Sequence, residues 1–161
     1  MNIKRILFVC TGNSCRSVMA EHLLRHALGR AGMNTIHVES AGVFAIDGMS
    51  PTRETQRVLL EVGIDCSNHH ARALTAEMIE AADLILAMEP FHIEEIVRRA
   101  PSAKDKVHLL RAYGLSSGEA SRGLAIPDPI GKPLEVYEVC FAEIREAIER
   151  VVKSIGVHRA S

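Results

Sequence analysis

A polar octapeptide near the start of the chain constrains the fold more than any other stretch. It runs from Cys10 to Ser17, follows the apolar run Ile6–Val9 and precedes an amphipathic stretch that begins at Met19. This order predicts a buried strand, a tight turn and a helix. Such a turn gathers backbone N–H groups and a helix N-terminus around one point, which suits an anion. We therefore expect an anion-binding site at the end of a strand.

Two side chains of the octapeptide add chemistry to that site. Cys10 is its first residue and Arg16 its seventh, with five residues between them. The positive field of the turn favours a thiolate at Cys10, and the Arg16 guanidinium can bind two oxygens of the same anion. Attack of sulfur on phosphorus needs both groups. The spacing therefore favours a catalytic nucleophile at Cys10 over an inert core cysteine, the reading that a lone buried Cys would receive.

The other residues of the octapeptide are expected to shape the loop and contact the anion. Gly12 and Asn13 tolerate left-handed backbone angles. Ser17 is expected to donate its hydroxyl to the sulfur, to cap the following helix, or both. Cys15 is either an unreactive buried thiol or the partner of Cys10 in a protective disulfide. The predicted substrate-binding residues are Thr11, Gly12, Asn13, Ser14, Cys15 and Ser17.

A proton donor is predicted in the long segment 112–133, which is dense in Gly, Ser and Pro. Displacement of a leaving group from phosphorus needs an acid opposite the nucleophile. Asp128, followed by Pro129, is the best candidate, and Glu119 and Asp105 are weaker ones. Taken alone, Asp-Pro would indicate only a turn.

Apolar runs that alternate with helical patterns predict the fold. An α/β architecture of three layers is expected, with a parallel sheet that carries helices on both faces. Ligands bind such sheets outside the carboxyl ends of the strands, where the octapeptide lies. The predicted strands are 3–9, 35–40, 83–88 and 106–110. One helix is predicted directly after the turn, with apolar residues at helical spacing from Met19. Others are predicted to begin at Ser50-Pro51 as cap and first residue, after Thr75 and at Pro90, and a long helix closes the chain.

Composition bounds the remaining possibilities. With 161 residues and a formal net charge of −1, the chain is expected to form one domain, 1–161, with no general affinity for nucleic acid or an anionic membrane. No apolar run has the length of a spanning helix. Four scattered cysteines do not form a secreted disulfide framework, which favours the cytoplasm. The oligomeric state stays open, with a monomer favoured.

Several histidines raise the question of a metal. His69 and His70 lie near Cys66, and His92 and His108 follow later, but none of them has a compact zinc spacing. We expect solvated loop and surface histidines there, and neither a metal nor a cofactor.

The chain resembles the low-molecular-weight protein tyrosine phosphatase family. The resemblance rests on the octapeptide Cys10–Ser17, on Ser40-Ala41-Gly42 and on Asp128-Pro129, and it covers essentially the whole chain. It implies the phosphotyrosine phosphatase I-like fold, a four-stranded parallel sheet flanked by helices. It also implies that Cys10 forms a phosphocysteine, that Arg16 and the loop amides hold the phosphoryl oxygens, and that Asp128 protonates the leaving group and later activates water without a metal.

Departures from the pattern bear on the substrate. Tyrosine-specific members usually have a bulky apolar residue where this chain has Ser14, and aromatic residues where it has Ile130-Gly131. A small hydroxyl residue at position 14, together with Val43-Phe44-Ala45, is similar to the bacterial protein-arginine phosphatase branch. Phosphoarginine is therefore expected somewhat ahead of phosphotyrosine.

Two other functions are weighed against a phosphatase. Thioredoxin-coupled arsenate reductases have a similar octapeptide, but they pass a disulfide through two cysteines after the third strand. The segment Met88–His92 has none. A catalytically silent phosphate-binding module would not need Cys10 together with Asp128, so both alternatives are less favoured than an enzyme that hydrolyses phosphorylated side chains.

Overall fold

A four-stranded parallel sheet forms the centre of the computed structural model, which describes residues 2–120 and 124–160. The strands are β1 Arg5–Cys10, β2 His37–Gly42, β3 Leu84–Ala87 and β4 Val107–Leu109. Their spatial order is β2-β1-β3-β4, and every neighbouring pair is parallel. The predicted three-layer α/β architecture is confirmed.

Helices cover both faces of this sheet. They are α1 Arg16–Arg30, α2 Arg53–Leu60, α3 Ala76–Ala81, α4 Pro90–Arg99, α5 Ser117–Ala120 and α6 Leu134–Ala160, with a short 3₁₀ helix at Pro101–Asp105. Residues from β1 alternate between two cores: Ile6 and Phe8 pack on one face with α1 and α6, while Leu7 and Val9 pack on the other against α3 and α4. This division follows from the two-residue period of a strand.

One predicted helix start is wrong. Helix α1 begins at Arg16, before the amphipathic stretch that starts at Met19, so the last two residues of the octapeptide lie in its first turn. Helix α2 begins at Arg53 rather than at Pro51, because the Thr52 hydroxyl accepts the N–H of Thr55 at 3.2 Å and so caps the helix. The predicted cap at Thr75 and the predicted start at Pro90 are confirmed.

The octapeptide lies where the strand order reverses. After β1 the chain moves to β2 on one side, and β3 pairs with β1 on the other side. The loops that leave β1 and its neighbours therefore diverge and open a crevice at the carboxyl end of β1. Within the described part of the chain, no helix combines the length and the apolarity that crossing a bilayer requires.

Candidate active site

Free backbone N–H groups line the loop between β1 and α1. In the described residues, the amides of Gly12, Asn13, Ser14 and Cys15 donate to no acceptor in the protein. Helix α1 starts directly after them, at Arg16. Unpaired amides next to a helix N-terminus are a site for an anion with several oxygens.

Cys10 ends β1 at the base of this loop, and its side chain is 2% exposed. The Sγ atom lies 2.9 Å from the hydroxyl of Ser17. Asn13 Nδ2 donates to that hydroxyl oxygen at 2.8 Å, so the Ser17 proton is free to point at the sulfur. Ser17 is the second residue of α1 rather than its cap, which assigns its hydroxyl to Cys10.

Asn13 anchors the loop to the rest of the sheet. Its φ is +53°, a left-handed conformation of the kind that asparagine tolerates, whereas Gly12 has no positive φ. The Asn13 amide donates to Ser40 Oγ at 2.9 Å and accepts from the N–H of Arg72 at 2.9 Å. A Cβ on Gly42 would lie 2.4 Å from the Thr11 carbonyl oxygen. Only glycine permits this approach, so Ser40-Ala41-Gly42 supports the loop from behind.

Arg16 is buried, with 1% of its surface exposed, and its guanidinium faces a ring of acceptors. Nη1 donates to Glu89 Oε2 and to the carbonyl of Ile126, both at 2.7 Å. Nη2 lies 3.4 Å from Thr11 Oγ1. Burial acts against the charge, but Cys10, Glu89 and Asp128 outweigh it and raise the pKa of Arg16 above its usual value. Arg16 therefore stays a cation.

Asp128 lies above the loop, with a side chain that is 39% exposed and an Oδ2 atom 3.6 Å from Arg16 Nη2. Its Oδ1 accepts the N–H of Ile130 at 3.1 Å, which fixes the carboxyl orientation. The segment is held by Ile126, which donates its N–H to the Met88 carbonyl at 2.9 Å. The structure thus brings Cys10, Arg16 and Asp128 together at one site.

The two weaker acid candidates lie elsewhere. Asp105 precedes β4 and is therefore at the opposite edge of the parallel sheet from Cys10. Glu119 lies in α5, where it accepts the hydroxyl of Ser116 at 2.9 Å. Neither one shares the contact with Arg16 that Asp128 makes.

Comparison with known proteins assigns the family. The profile described as "Low molecular weight phosphotyrosine protein phosphatase" matches residues 5–160. The chain belongs to this family. The resemblance predicted from the octapeptide is confirmed, and this member of the low-molecular-weight phosphatases is a cysteine-dependent protein phosphatase.

Relatives of this phosphatase fall into two groups by name. A protein-arginine-phosphatase of Geobacillus stearothermophilus is 39% identical and covers 94% of this chain and 95% of the relative. A probable low molecular weight protein-tyrosine-phosphatase, EpsP of Ralstonia solanacearum, is 38% identical and covers 95% and 97%. The solved YwlE arginine phosphatase from G. stearothermophilus superposes with a TM-score of 0.85 at 38% identity, over 97% of this chain and 95% of that one.

Sequence reasoning missed Glu89 and His92 at the phosphatase site. His92 was predicted as a surface histidine, which is wrong: it is 0% exposed. Its Nδ1 accepts the N–H of Glu89 at 3.0 Å, so Nε2 carries the proton and donates to Thr11 Oγ1 at 2.9 Å. In the sequence, the feature that could have pointed to these two residues is Glu89-Pro90, because it marks the start of the helix that follows β3, the strand paired with β1.

An aromatic rim at the entrance was also missed. Phe44 and Phe91 are 66% and 40% exposed, and their rings stack with centroids 6.3 Å apart. The N–H of Phe44 donates to the Thr11 carbonyl at 2.9 Å, which ties this ring to the anion loop. The rim, defined as Phe44 and Phe91, can stack on a phenyl ring or on a guanidinium.

The buried His92 predicts a pH dependence of stability. Burial, with a smaller contribution from the charge of Arg16, lowers the pKa of His92 from 6.5 to about 4. Above pH 6.5 the ring is neutral in both folded and unfolded chains. As the pH falls from 6.5 towards 4, the unfolded chain binds this proton first, so the free energy of unfolding decreases.

His92→Gln is expected to flatten that decrease. Urea unfolding of both proteins between pH 4 and pH 7 measures the difference, because the other histidines contribute equally to each. Parallel curves for the two proteins would contradict a neutral, buried His92.

Proposed function

We propose that this phosphatase hydrolyses phosphoarginine in proteins, with Cys10 as nucleophile, Arg16 as phosphate clamp and Asp128 as acid. In the first step the sulfur of Cys10 attacks phosphorus, an S–P bond forms and the P–N bond breaks. Asp128 gives its proton to the departing guanidino nitrogen. In the second step Asp128 takes a proton from water, whose oxygen attacks phosphorus and releases phosphate and the Cys10 thiolate. Neither step uses a metal or a cofactor.

The arrangement around Cys10 supports these roles. The free amides of residues 12–15 surround the position that a phosphoryl group would occupy above the sulfur. Arg16 adds a fixed positive charge, and such preorganised donors stabilise the charge that develops on the phosphoryl oxygens. Ser17 and Asn13 orient the sulfur, while Thr11, Ser14 and Cys15 complete the proposed substrate-binding loop.

Ser14 is the observation that carries the choice of substrate. Its side chain is small, polar and 9% exposed within the loop, where tyrosine-specific members usually have a bulky apolar residue. A guanidino group carries N–H donors that need acceptors, and a hydroxyl can serve them where an alkyl group cannot. The exposed Ile130 replaces an aromatic residue after Asp128-Pro129, which also reduces the surface for a phenyl ring.

Phosphotyrosine is the second candidate because of the aromatic rim. Phe44 and Phe91 offer two ring faces at the entrance, and a tyrosine ring would stack there. Some relatives of similar identity are named tyrosine phosphatases, so the overall identity does not separate the two substrates.

Rates on three substrates test the proposal. The protein is expected to hydrolyse a phosphoarginine peptide faster than a phosphotyrosine peptide of the same sequence. It is expected not to reduce arsenate in the presence of thioredoxin, since the relay cysteines are missing. Faster hydrolysis of phosphotyrosine would move the assignment to the second candidate.

Ser14→Ile is expected to lower the ratio of phosphoarginine to phosphotyrosine turnover by roughly 10–200-fold, the range for adding or removing a small group in a pocket. The ratio of kcat/KM values for matched peptides measures it. Ser14→Thr, which keeps a hydroxyl, is the control and should retain the preference. An unchanged ratio in Ser14→Ile would show that position 14 does not choose the substrate.

The proposal also includes the cellular compartment and the extent of the domain. We place the protein in the cytoplasm, where a reducing milieu suits four cysteines that are all free and buried. Two of these thiols are held protonated, because burial raises the pKa of Cys66 to about 11 and of Cys140 to about 12. One phosphatase domain over residues 1–161 is consistent with two cores that share one sheet.

A further inference from the structure

An open pocket of about 750 Å³ lies next to the anion loop, because one of its lining residues, His69, contacts Asn13 of the loop. Helix α1, strand β2 and the segment between α2 and α3 enclose it. We call it the histidine pocket, and its ligand-type residues include Glu21, His22, His26, Cys66, His69 and His70. No side chain of this pocket takes part directly in the proposed reaction.

Three of these residues converge. One ligand atom each from Glu21, His22 and His69 lies within 4.8 Å of the other two. Glu21 and His22 are neighbours on α1, whereas His69 comes from the segment after α2. No zinc spacing marks this set in the sequence, because the fold brings His69 to α1 from 47 positions away.

Hydrogen bonds leave one lone pair free on each imidazole. His22 Nδ1 lies 2.9 Å from the carbonyl oxygen of Val18, which can only accept, so Nδ1 carries the proton and Nε2 does not. His69 Nε2 lies 3.2 Å from the backbone and side-chain oxygens of Asn13, so Nδ1 of that ring is unprotonated. Metal-binding histidines are oriented in this way, with the second nitrogen donating to a carbonyl.

Glu21 supplies a negative charge beside these rings. It is 6% exposed, and its oxygens accept from Ser40 Oγ and Arg25 Nη2, both at 2.6 Å. Arg25 is a half-exposed side chain that can leave, and each carboxylate oxygen has a second lone pair. A divalent ion can therefore bind Glu21 without breaking the buried bond to Ser40.

We propose that Glu21, His22 and His69 form a binding site for a divalent transition-metal ion of the zinc class, distinct from the Cys10 site. Two imidazole nitrogens and one carboxylate oxygen are a zinc ligand set, and water from the open pocket completes a tetrahedron. This inference does not rest on the proposed substrate or on the roles of Cys10 and Asp128.

The site is joined to the anion loop through Asn13. Its Nδ2 donates to Ser40, and Ser40 donates to Glu21, while His69 contacts Asn13 directly. An ion bound by both Glu21 and His69 would therefore cross-link the two ends of this series of hydrogen bonds. Metal binding is therefore expected to stabilise the folded state, as any ligand of the native state does.

Calorimetric titration with Zn²⁺ tests the site, in a Cys10→Ser background that removes the competing thiolate. We expect one ion per chain and a higher melting temperature. Adding His22→Gln should weaken binding at least about 10-fold and cancel the rise in melting temperature. The matched control is His26→Gln, which removes another histidine of the same pocket outside the three ligands and should bind as before.

Activity provides the check on folding. In the presence of a chelator and with Cys10 restored, His22→Gln should turn over substrate like the parent, because His22 has no contact with the catalytic groups. Absence of stoichiometric binding, or equal weakening by His22→Gln and His26→Gln, would overturn the proposal. Neither result would bear on the phosphatase reaction.

Discussion

Cys10→Ser is expected to reduce hydrolysis of aryl phosphates by about 10⁴-fold or more while the fold stays intact. A serine hydroxyl at the end of β1 can keep the contact with Ser17 and leaves the loop amides free for the anion, but it does not ionise near neutral pH. Loss of a covalent nucleophile produces effects of this size or larger. The substitution is nearly isosteric, so the free energy of unfolding should change by only about 1 kcal/mol.

Single-turnover kinetics and chemical unfolding measure the two parts of this expectation. Cys66→Ser is the matched control, because Cys66 is also a buried thiol but lies outside the anion loop. It should keep the parent rate at temperatures where it is folded. The Cys10→Ser protein should still bind phosphate, since the amides of residues 12–15 remain. Substantial turnover by Cys10→Ser, or an equal loss in Cys66→Ser, would remove Cys10 from the role of nucleophile.

Asp128→Asn is expected to slow the first step by about 10²–10⁴-fold for poor leaving groups, the usual contribution of a positioned general acid. An amide at this position keeps the hydrogen bond to Ile130 but has no proton to give. Leaving groups that depart as stable anions need no such proton, so nitrophenyl phosphate should lose far less. The dependence of log kcat on leaving-group pKa should therefore become steeper.

Glu89→Gln is the matched control for charge. Like Asp128, Glu89 forms an ion pair with Arg16, but it contacts Nη1, at 2.7 Å, whereas Asp128 lies near Nη2, at 3.6 Å. Loss of the Glu89 charge should change the binding of the phosphoryl group to a similar extent for all substrates, whatever their leaving group. If Asp128→Asn also slows all substrates equally, Asp128 only balances the charge of Arg16 and the acid must be sought elsewhere.

Local patterns account for most of the fold. Strands β1 and β3 are short and mostly apolar, and two helices begin at recognisable residues, α3 after the cap Thr75 and α4 at Pro90. The α2 start was misplaced because Ser50-Pro51 looks like a cap and first turn, while the hydroxyl that meets a free N–H belongs to Thr52. A helix cap depends on a single hydrogen bond, and the local sequence does not show which of two nearby hydroxyl residues forms it.

The surroundings of Arg16 show what local patterns cannot reach. Its two 2.7 Å partners, Glu89 and the Ile126 carbonyl, are 73 and 110 positions away. His92 contacts Thr11 across 81 positions. The local sequence marks at most a helix start at Glu89-Pro90 and not a contact with Arg16 or Thr11, because these contacts depend on β3 pairing beside β1.

The octapeptide by itself determined the chemistry of this protein. A thiol, a guanidinium and a strand-to-helix turn within eight residues are held together by the covalent chain, so their proximity does not depend on the remaining fold. The tertiary structure alone decided which groups orient them: Asn13 through Ser40 and Glu21, Arg16 through Glu89 and Ile126, Thr11 through His92. Those contacts join elements that meet only when the parallel sheet forms, because its strands align the same carboxyl ends at one edge.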